Sequence, residues 1–567
     1  MKWINLSDIS KRFTNRSGSN SLNGSTDFIY IRKQIHLMHK SAVAAIAALL
    51  IGLFSCTSGE KQKSASVQSY DTTYRNLNLN DTGRLSRIRA VAPVIEQLFN
   101  AYAEKNHLPG LSWGLVVDGQ LLLAGNKGYT DLEKKIPVTS SSLFRIASMS
   151  KSFTAMAILR LRDEGKLQLD DAVAKYVPEM KDQRYPTQDA PVLTIRHLLT
   201  HSAGFPEDNP WGDRQLADTD EEFRAFLNKK ISFSNAPGIA YEYSNLGFAL
   251  LGKIVTIVSG QPYQQYIREK IWNPLGMKSA EWEYSRVAPD KLAHGYRWIN
   301  ENWREEALLH DTPDGSWGAM GSMIASVEEF SRYMAFHLSA WPPSNRPETG
   351  PVKRSSVREM HQPWRFNGLN PGFKYPDGRT CAYASAYGYG LGWMSDCDGK
   401  VYIAHSGGLP GFGSQWRIMP DFGIGIVSLA NRTYAPMGNI NLHVLDTIIK
   451  LAGLQPQKAP ASAILEQRQS ELVKILPDWK NAASSGLFAE NFFADNPIDS
   501  LRKYATQLFE KAGSIRKVEP MQPENQLRGR FMIRGEKADL MVYFTLSPEN
   551  PPLIQEYRIW EVIPPKP

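Results

Sequence analysis

The pattern of apolar and polar positions predicts strands at both ends of a long central region. Residues 111–124 alternate on either side of Asp118-Gly119, a dipeptide that favours a tight turn between antiparallel strands. Three later segments carry the same strand pattern and are separated by turns that contain glycine or proline: 401–405, 413–419 and 424–429. These segments predict a late hairpin that complements the early pair of strands.

Apolar residues at helical spacing occupy much of the chain between these strands. Ser148–Glu164 and Leu246–Ser259 are clear cases, and each is followed by a glycine, which commonly ends a helix. A further helix is predicted over Ile88–Ala103, and loops are predicted over 341–351 and 367–378. An early strand pair, a helical middle and a late hairpin together predict an α+β domain whose sheet joins both ends of the chain.

The pattern changes after Gly453, where a short linker is predicted over 455–460. The remaining elements predicted from periodicity are helices over 461–476 and 498–511 and strands over 528–533, 539–546 and 555–562. We therefore predict a main domain over 86–454 and a small α+β module over 455–567. The module resembles NTF2-like folds, and no residue cluster in it suggests chemistry.

The N-terminal region carries the features of an export signal. Residues 42–54 are uncharged and apolar and follow Lys40. This run is shorter than the about 20 residues that a helix needs to cross a bilayer, but it has the length of a signal-peptide core. Leu53–Cys56 resembles a bacterial lipobox, which implies lipidation at Cys56 and membrane attachment through that lipid. A plain cleaved signal with an incidental cysteine is the alternative.

This interpretation divides the first part of the chain into a leader, residues 1–56, and a polar tether, residues 57–85. It predicts a protein of the bacterial cell envelope that faces the periplasm or is secreted. Export to an oxidising space would permit a disulfide between Cys381 and Cys397, although two free buried thiols are the alternative.

The formal net charge of +8 does not indicate nucleic-acid binding. Much of it lies in residues 1–55, where Asp8 and Asp27 face a larger set of basic residues: Lys2, Lys11, Arg12, Arg16, Arg32, Lys33 and Lys40. No basic stripe interleaved with aromatic residues is present elsewhere. No histidine or cysteine cluster has the spacing of metal ligands either, so we predict no nucleic-acid partner, no metal and no cofactor.

A serine and a lysine three positions apart are the central candidates for chemistry. The segment Ser148–Lys151 lies at the predicted start of a helix, where positions i and i+3 share a face, so Lys151 can reach the Ser148 hydroxyl. The helix N-terminus also favours developing negative charge. The pattern alone is weak evidence, because Ser58–Lys61 and Ser514–Lys517 match it as well.

Two further motifs follow in order along the chain. Tyr243-Ser244-Asn245 precedes an apolar helix, and His405-Ser406-Gly407 ends a predicted strand. With these motifs and its flanking stretches, the chain resembles the penicillin-recognising serine hydrolases over roughly residues 85–450, in the branch of class C β-lactamases, DD-peptidases and related esterases. The flanking stretches are FRIASMSKSFTA (144–155), LTIRHLLTHSAGF (193–205), YSNLGFALLG (243–252), PLGM (274–277) and HSGGLPGF (405–412).

The resemblance implies a β-lactamase/transpeptidase-like fold, with an antiparallel sheet flanked by helices and an all-helical region. It also implies a covalent acyl-enzyme at Ser148, whose hydroxyl needs a neighbouring base. Lys151 and Tyr243 would share that work, and Tyr243 is the better candidate to pass a proton to the leaving group. Asn245 would orient Lys151 and hydrogen-bond the substrate amide.

The third motif supplies the remaining implied roles. The backbone N–H groups of Ser148 and Gly408 would form the oxyanion hole, and Ser406 and Gly407 would contact the substrate. His405 stands where lysine is commoner, so we expect a charge that depends on pH beside a substrate carboxylate, because an unperturbed histidine titrates near ~6.5.

The implied substrate is an amide or ester, in particular a D-amino-acid-containing peptide, as for a DD-peptidase or D-aminopeptidase. An esterase or weak β-lactamase on the same scaffold is one alternative, and a non-catalytic penicillin-binding or envelope-binding lipoprotein is another. Taken singly, the three motifs also have structural explanations: a helix cap, a core aromatic residue and a strand-end histidine. We interpret His201 as structural and Trp416 as a core residue, and the oligomeric state stays open.

Overall fold

The computed structural model describes residues 73–75, 81–306, 313–457 and 459–563. The predicted leader, Cys56 and most of the predicted tether lie outside these ranges. Within them, every helix is too short or too polar to span a lipid bilayer.

An antiparallel sheet forms the centre of the described chain, and it has the order β3-β2-β1-β13-β12-β11-β10-β9-β8. The strands up to β13 are β1 (Gly110–Val117), β2 (Gln120–Asp131), β3 (Ile136–Pro137), β4 (Phe144–Arg145), β5 (Tyr296–Ile299), β6 (Asn302–Glu305), β7 (Ile324–Ala325), β8 (Arg365–Asn370), β9 (Tyr383–Tyr387), β10 (Gly392–Asp396), β11 (Val401–Leu409), β12 (Phe412–Met419) and β13 (Ile424–Ala430). Strands β4 and β7 pair separately, as do β5 and β6.

The pairing of β1 with β13 joins the early and late parts of the chain, with Leu111 opposite Ala430. This confirms the predicted sheet that connects both ends. The turn at Asp118-Gly119 also lies where the pattern predicted it, because both residues have positive φ angles, 49° and 81°, as a two-residue hairpin turn requires.

Helices cover both faces of this sheet. The helices before residue 455 are Arg84–Ala90, Ala92–Lys105, Ser150–Asp163, Ile195–Leu199, Asp220–Asn228, Asn245–Ser259, Tyr263–Ile267, Asn273–Leu275, Val327–Ser339, Arg354–Met360 and Gly438–Leu451. Neighbouring residues of β1 belong to different hydrophobic cores. Val116 belongs to the core of the helical region, and Leu115 belongs to the core that contains the helices Ala92–Lys105 and Gly438–Leu451. Burial on both faces explains why β1 and β13 are apolar almost throughout.

Two predicted elements are wrong in detail. The helix predicted over Ile88–Ala103 is two helices that break at Val91, because Pro93 lies in the first turn of the second helix and cannot continue the first. The loop predicted over 367–378 begins as edge strand β8, whose residues are largely exposed and therefore lack an apolar pattern.

The C-terminal residues build a second sheet with its own hydrophobic core. Its strands are β14 (Ile515–Val518), β15 (Gln522–Asn525), β16 (Arg528–Gly535), β17 (Asp539–Leu546) and β18 (Ile554–Glu561), and its helices are Ala463–Ile475, Phe492–Asp495 and Ile498–Ala512. Strands β14 and β15 were not predicted, because both are short and almost wholly exposed. The domain boundaries and the NTF2-like resemblance stay predictions.

Close contact between β11 and the segment before Ser148 brings the first and third motifs together. The Ser414 hydroxyl on β12 donates to the carbonyl of Ile146, at 2.8 Å. A Cβ atom at Gly407 would overlap that same carbonyl and the Ser414 hydroxyl. Glycine at 407 therefore sets how closely β11 approaches the segment that carries Ser148.

We expect Gly407→Ala to lower the free energy of unfolding by about 1–3 kcal/mol, the usual cost of overpacking a close contact. Denaturant titration followed by fluorescence measures this loss. Gly372→Ala is the matched control, because a Cβ atom there meets nothing within 4 Å, and an equal loss in both variants would contradict the proposed contact.

Candidate active site

Ser148 lies in a 3-10 turn, Ala147–Met149, immediately before the helix Ser150–Asp163. Its side chain borders a cavity of about 790 Å³. The preceding residue, Ala147, has a φ angle of 51°, a left-handed conformation that is uncommon for a residue with a Cβ atom and is concentrated at functional sites. The backbone immediately before Ser148 therefore departs from the helical conformation that follows it.

Lys151 is fully buried, and its amine contacts three oxygen atoms. Nζ lies 3.0 Å from Ser148 Oγ, 2.7 Å from Asn245 Oδ1 and 2.9 Å from the carbonyl oxygen of Met320. Desolvation lowers the pKa of the amine to about 7, against the opposing charges of Asp208 and Asp213. A large neutral fraction is therefore present near neutral pH.

The three contacts of Lys151 fix where the lone pair of a neutral amine points. The oxygens of Asn245 and Met320 can only accept hydrogen bonds, so they take the two N–H groups of the neutral amine. The lone pair is left facing the Ser148 hydroxyl. This arrangement makes Lys151 a suitable acceptor for the hydroxyl proton.

Tyr243 also lies close to this amine, with its ring centre 4.9 Å from Lys151 Nζ. Burial of the phenol raises its pKa well above 10, and a hydrogen bond with Ser148 opposes that shift only in part. The phenol therefore keeps its proton at neutral pH. It suits the role of a proton donor more than that of the initial base.

Asn245 begins the helix Asn245–Ser259 and is held at both ends of its amide. Its Nδ2 donates to Asn209 Oδ1 at 2.7 Å, which leaves Oδ1 directed at Lys151. The carboxylate of Asp208 accepts the backbone N–H groups of Asn245 and Leu246, at 2.7 and 2.8 Å. Asp208, which the sequence patterns did not single out, thus supplies acceptors that the first turn of this helix needs.

His201 has a larger part in the site than the sequence suggested. Its Nδ1 accepts the backbone N–H of Ser244 at 3.1 Å, and its ring packs against Tyr243 and Tyr387 with centre distances of 4.3 and 4.6 Å. Burial holds its pKa well below the usual range. The ring is therefore neutral, and it positions the segment that carries Tyr243.

His405 is also neutral, which corrects the expected charge near pH 6.5. Burial lowers its pKa to about 3, and the charge of Lys151 adds to that effect. Nδ1 lies 2.6 Å from the carbonyl oxygen of Ser406 and must donate to it, so Nε2 accepts the hydroxyl proton of Tyr387 at 2.8 Å. Tyr387 was not predicted, because only the folded chain brings the end of β9 within reach of His405 on β11.

The predicted oxyanion and substrate residues border the same cavity as Ser148. Ser406, Gly407 and Gly408 all line it. Strand β10 pairs only with residues 401–404 of β11, so the edge of β11 that follows is not covered by β10. The backbone N–H of Gly408 lies on this segment, as a donor to a bound oxyanion would.

The two remaining cysteines form a disulfide, Cys381–Cys397, with a Cα–Cα distance of 5.6 Å. It closes the open end of the β9–β10 hairpin, where Tyr383 pairs with Asp396. Both strands contribute residues to the cavity wall. Trp416 lies in the core, fully buried, and not in the cavity.

The S-x-x-K match at Ser514–Lys517 lacks these surroundings. Lys517 on β14 is exposed and contacts Glu519 at 2.9 Å, and Ser514 precedes that strand. The segment Ser58–Lys61 lies outside the described residues.

Comparison with known proteins gives consistent matches. The family profile described as Beta-lactamase matches residues 95–447, more than half of the chain. Protein flp of Staphylococcus aureus (strain MW2) is 31% identical over 343 residues, which are 59% of this chain and 62% of the relative. Penicillin-binding protein 4* of Bacillus subtilis (strain 168) is 26% identical over 357 residues, which are 60% of this chain and 71% of the relative. The chain thus spans about 62% of the length of the staphylococcal relative.

Two solved structures share the fold. The octameric penicillin-binding protein homologue from Pyrococcus abyssi has a TM-score of 0.52 at 23% identity, over 83% of this chain and 96% of that one. A penicillin-binding protein from Bacillus halodurans has a TM-score of 0.50 at 21% identity, over 62% of this chain and 99% of that one. These matches confirm the β-lactamase/transpeptidase-like fold that the motifs implied.

We expect His201→Phe to slow labelling of Ser148 by a serine-directed fluorophosphonate about 10- to 100-fold, because a small displacement of a reacting group has effects of that size. The variant leaves the buried N–H of Ser244 without its acceptor. Gel fluorescence over time measures the labelling rate.

His337→Phe is the control, because His337 is fully buried but does not line the cavity. Equal slowing in both variants would mean that His201 acts only through general stability.

Proposed function

The chain belongs to the beta-lactamase family, and on that premise we propose that it is a serine hydrolase that forms a covalent acyl-enzyme at Ser148. The observation that carries the proposal is the contact between the buried amine of Lys151 and the hydroxyl of Ser148, 3.0 Å apart. A pKa of about 7 supplies the neutral amine that such a base requires.

The acylation step follows from this geometry. Neutral Lys151 takes the proton of the Ser148 hydroxyl as Oγ attacks the carbonyl carbon of an amide or ester. The negative charge that develops on the carbonyl oxygen is stabilised by the N–H groups of Ser148 and Gly408. Tyr243 protonates the leaving nitrogen or oxygen as its bond to carbon breaks, and its proton is restored from Lys151.

Deacylation reverses these roles with water as the nucleophile. A water molecule loses its proton to the Tyr243–Lys151 pair and attacks the acyl carbon, and Ser148 leaves with a proton returned to Oγ. The product is a carboxylic acid, and the free hydroxyl is regenerated.

The substrate that we propose is a D-amino-acid-containing peptide, as for a DD-peptidase or D-aminopeptidase. Support comes from the H-x-G form of the third motif and from the similarity to a protein named as a penicillin-binding protein. An esterase or weak β-lactamase would use the same residues and remains the second candidate. The intact contacts among Ser148, Lys151 and Asn245 favour turnover over a binding protein that has lost activity.

We also propose that the protein works in the cell envelope, attached through a lipid at Cys56. The disulfide Cys381–Cys397 supports an oxidising compartment, because disulfides form and persist mainly outside the cytosol. The partners are then a small peptide, amide or ester substrate and the membrane that holds the lipid.

We expect Ser148→Ala to abolish labelling by fluorescent penicillin or a fluorophosphonate, together with hydrolysis of p-nitrophenyl esters and release of D-alanine. Intact-protein and peptide mass spectrometry would locate the adduct on Ser148 in the unchanged protein. Ser514→Ala, at an S-x-x-K segment outside the site, is the control and should label normally. An adduct that persists in Ser148→Ala would disprove the proposal.

We expect kcat/KM to rise with pH through one ionisation at about 7. Below this pKa the amine is protonated and cannot accept the serine proton, so the rate should fall about tenfold per pH unit. Stopped-flow hydrolysis of a p-nitrophenyl ester measures the profile. His405→Gln should lower the rate without moving the ionisation, whereas a shift of the acid limb in that variant would assign the limb to His405.

A further inference from the structure

Tyr434 follows strand β13 and contacts the segment that carries Gly408. Its φ angle is 51°, a left-handed conformation that costs free energy in a residue with a Cβ atom. Its backbone N–H is directed at the carbonyls of Leu409 and Phe412, at 3.3 and 3.0 Å, where β11 turns into β12. A Cβ atom at Gly408 would lie only 2.9 Å from Cδ1 of the Tyr434 ring. The ring therefore lies directly against the backbone of Gly408.

The Tyr434 hydroxyl donates to a carboxylate that belongs to a distant part of the chain. Its acceptor is Asp213 Oδ2, at 3.0 Å and 221 positions away in the sequence, in the 3-10 turn Gly212–Arg214. Asp213 is 2% exposed and Tyr434 is 41% exposed, and both line the cavity that Ser148 borders. Burial raises the pKa of the phenol to about 12, so it keeps its proton and donates.

The turn that carries Asp213 also packs against Asn245. A Cβ atom at Gly212, the first residue of this turn, would lie 3.0 Å from both Cβ and Nδ2 of Asn245. The amide oxygen of Asn245 accepts from Lys151 Nζ at 2.7 Å. The same turn thus contacts the residue that orients the amine and, through its carboxylate, the tyrosine that packs against Gly408.

The Asp213 carboxylate acts on the amine through its charge as well. Burial raises the pKa of Asp213 to about 6, and the hydrogen bond from Tyr434 and the charge of Lys151 oppose that rise. The charges of Asp208 and Arg214 act on this carboxylate in opposite directions. Asp213 is therefore largely ionised at neutral pH, and its charge raises the pKa of Lys151. Asparagine at this position would keep an acceptor oxygen and remove the charge.

We propose that Asp213 and Tyr434 are positioning residues whose hydrogen bond holds the backbone N–H of Gly408 in place for the oxyanion. The inference rests on the proposed serine hydrolase function. Gly408 has no side chain of its own and lies on a part of β11 that β10 does not cover, so its placement depends on what packs against it. Tyr434 supplies that contact, and the hydrogen bond to Asp213 fixes the orientation of the ring. Displacing this donor should slow the reaction with little change in substrate binding, because the charge develops only in the transition state.

Tyr434→Phe removes the hydroxyl and keeps the ring. We expect kcat and kcat/KM for p-nitrophenyl acetate to fall together by about 10- to 100-fold, because a displaced donor loses part of its effect on the oxyanion. Tyr176→Phe is the matched control: Tyr176 also donates to an aspartate, Asp171 at 2.6 Å, but it does not line the cavity. An equal fall in both variants, or a change confined to KM, would overturn the inference.

Variants of Asp213 test the same hydrogen bond from its other end. Asp213→Ala should slow the enzyme by a similar factor, and combining it with Tyr434→Phe should cause no further loss, because both changes break one hydrogen bond. Asp213→Asn should keep a rate close to that of the unchanged enzyme above the acid limb. Its acid limb should move to lower pH, because loss of the carboxylate lowers the pKa of Lys151. Additive losses in the double variant, or an Asp213→Asn variant as slow as Asp213→Ala above the limb, would overturn the inference.

Boronate binding separates this inference from the proposed function. The Ser148 oxygen adds to the boron of phenylboronic acid, the serine proton passes to Lys151, and a boron-bound hydroxyl lies where the oxyanion would. Calorimetry should show an affinity that falls about 10- to 100-fold with Tyr434→Phe and is lost with Ser148→Ala. Equal affinity in Tyr434→Phe would overturn the inference, whereas binding that survives Ser148→Ala would overturn only the proposed chemistry.

Hydrogen–deuterium exchange tests the same contact without any reaction. Peptides that cover 208–216 and 405–412 report how firmly each side of the hydrogen bond is held. Tyr434→Phe should speed exchange in both segments, and Tyr176→Phe should leave both unchanged. Unchanged exchange in either segment of Tyr434→Phe would overturn the inference even in a protein that hydrolyses nothing.

Discussion

The burial of one amine is the constraint on which the rest of the site depends. Removing an ammonium group from water costs several kcal/mol, and this cost is what makes Lys151 a base near neutral pH. The direct partners of its Nζ are uncharged oxygens, from Ser148, Asn245 and Met320. A carboxylate in one of these places would have stabilised the ammonium form and raised the pKa. The charges of Asp208 and Asp213 oppose this lowering of the pKa. The protonated and neutral forms of the amine therefore coexist near neutral pH.

Because the buried amine of Lys151 needs uncharged oxygen partners at fixed positions, segments that are distant in the sequence must pack around it with little positional freedom. Asn245 can present its amide oxygen only because Asn209 holds the other end of the amide and Asp208 holds the backbone. Two residues that do not contact Lys151 act in the same way. His201 accepts the backbone N–H beside Tyr243, and Tyr387 donates a hydrogen bond to His405. The sheet supplies the rigid frame, and hydrogen bonds between segments set the final positions of the reacting atoms.

Sequence reasoning identified the residues whose spacing is local or whose order is distinctive. Ser148 and Lys151 are three positions apart on one helical turn, and Tyr243 and His405 belong to short motifs in a recognisable order. Asp208 and Tyr387 carry no such signal, because their roles arise from contacts across 36 residues between Asp208 and Ser244 and across 18 residues between Tyr387 and His405. The charge state of His405 was mispredicted for a related reason: a pKa depends on burial, and burial is a property of the folded chain. Pro93 is a local signal for the helix break at Val91, but the prediction of one helix over Ile88–Ala103 did not use it.

The uncovered edge of β11 beyond Ala404 has a consequence for stereochemistry. A peptide-like ligand that pairs with this edge would lie as a short extra strand, and the side chains of such a strand alternate between two fixed directions. One direction faces the segment that carries Ser148, and the other faces Tyr434 beside Gly408. Inverting the configuration at a single ligand carbon exchanges these two surroundings. The backbone of this edge would therefore distinguish the two configurations of such a ligand.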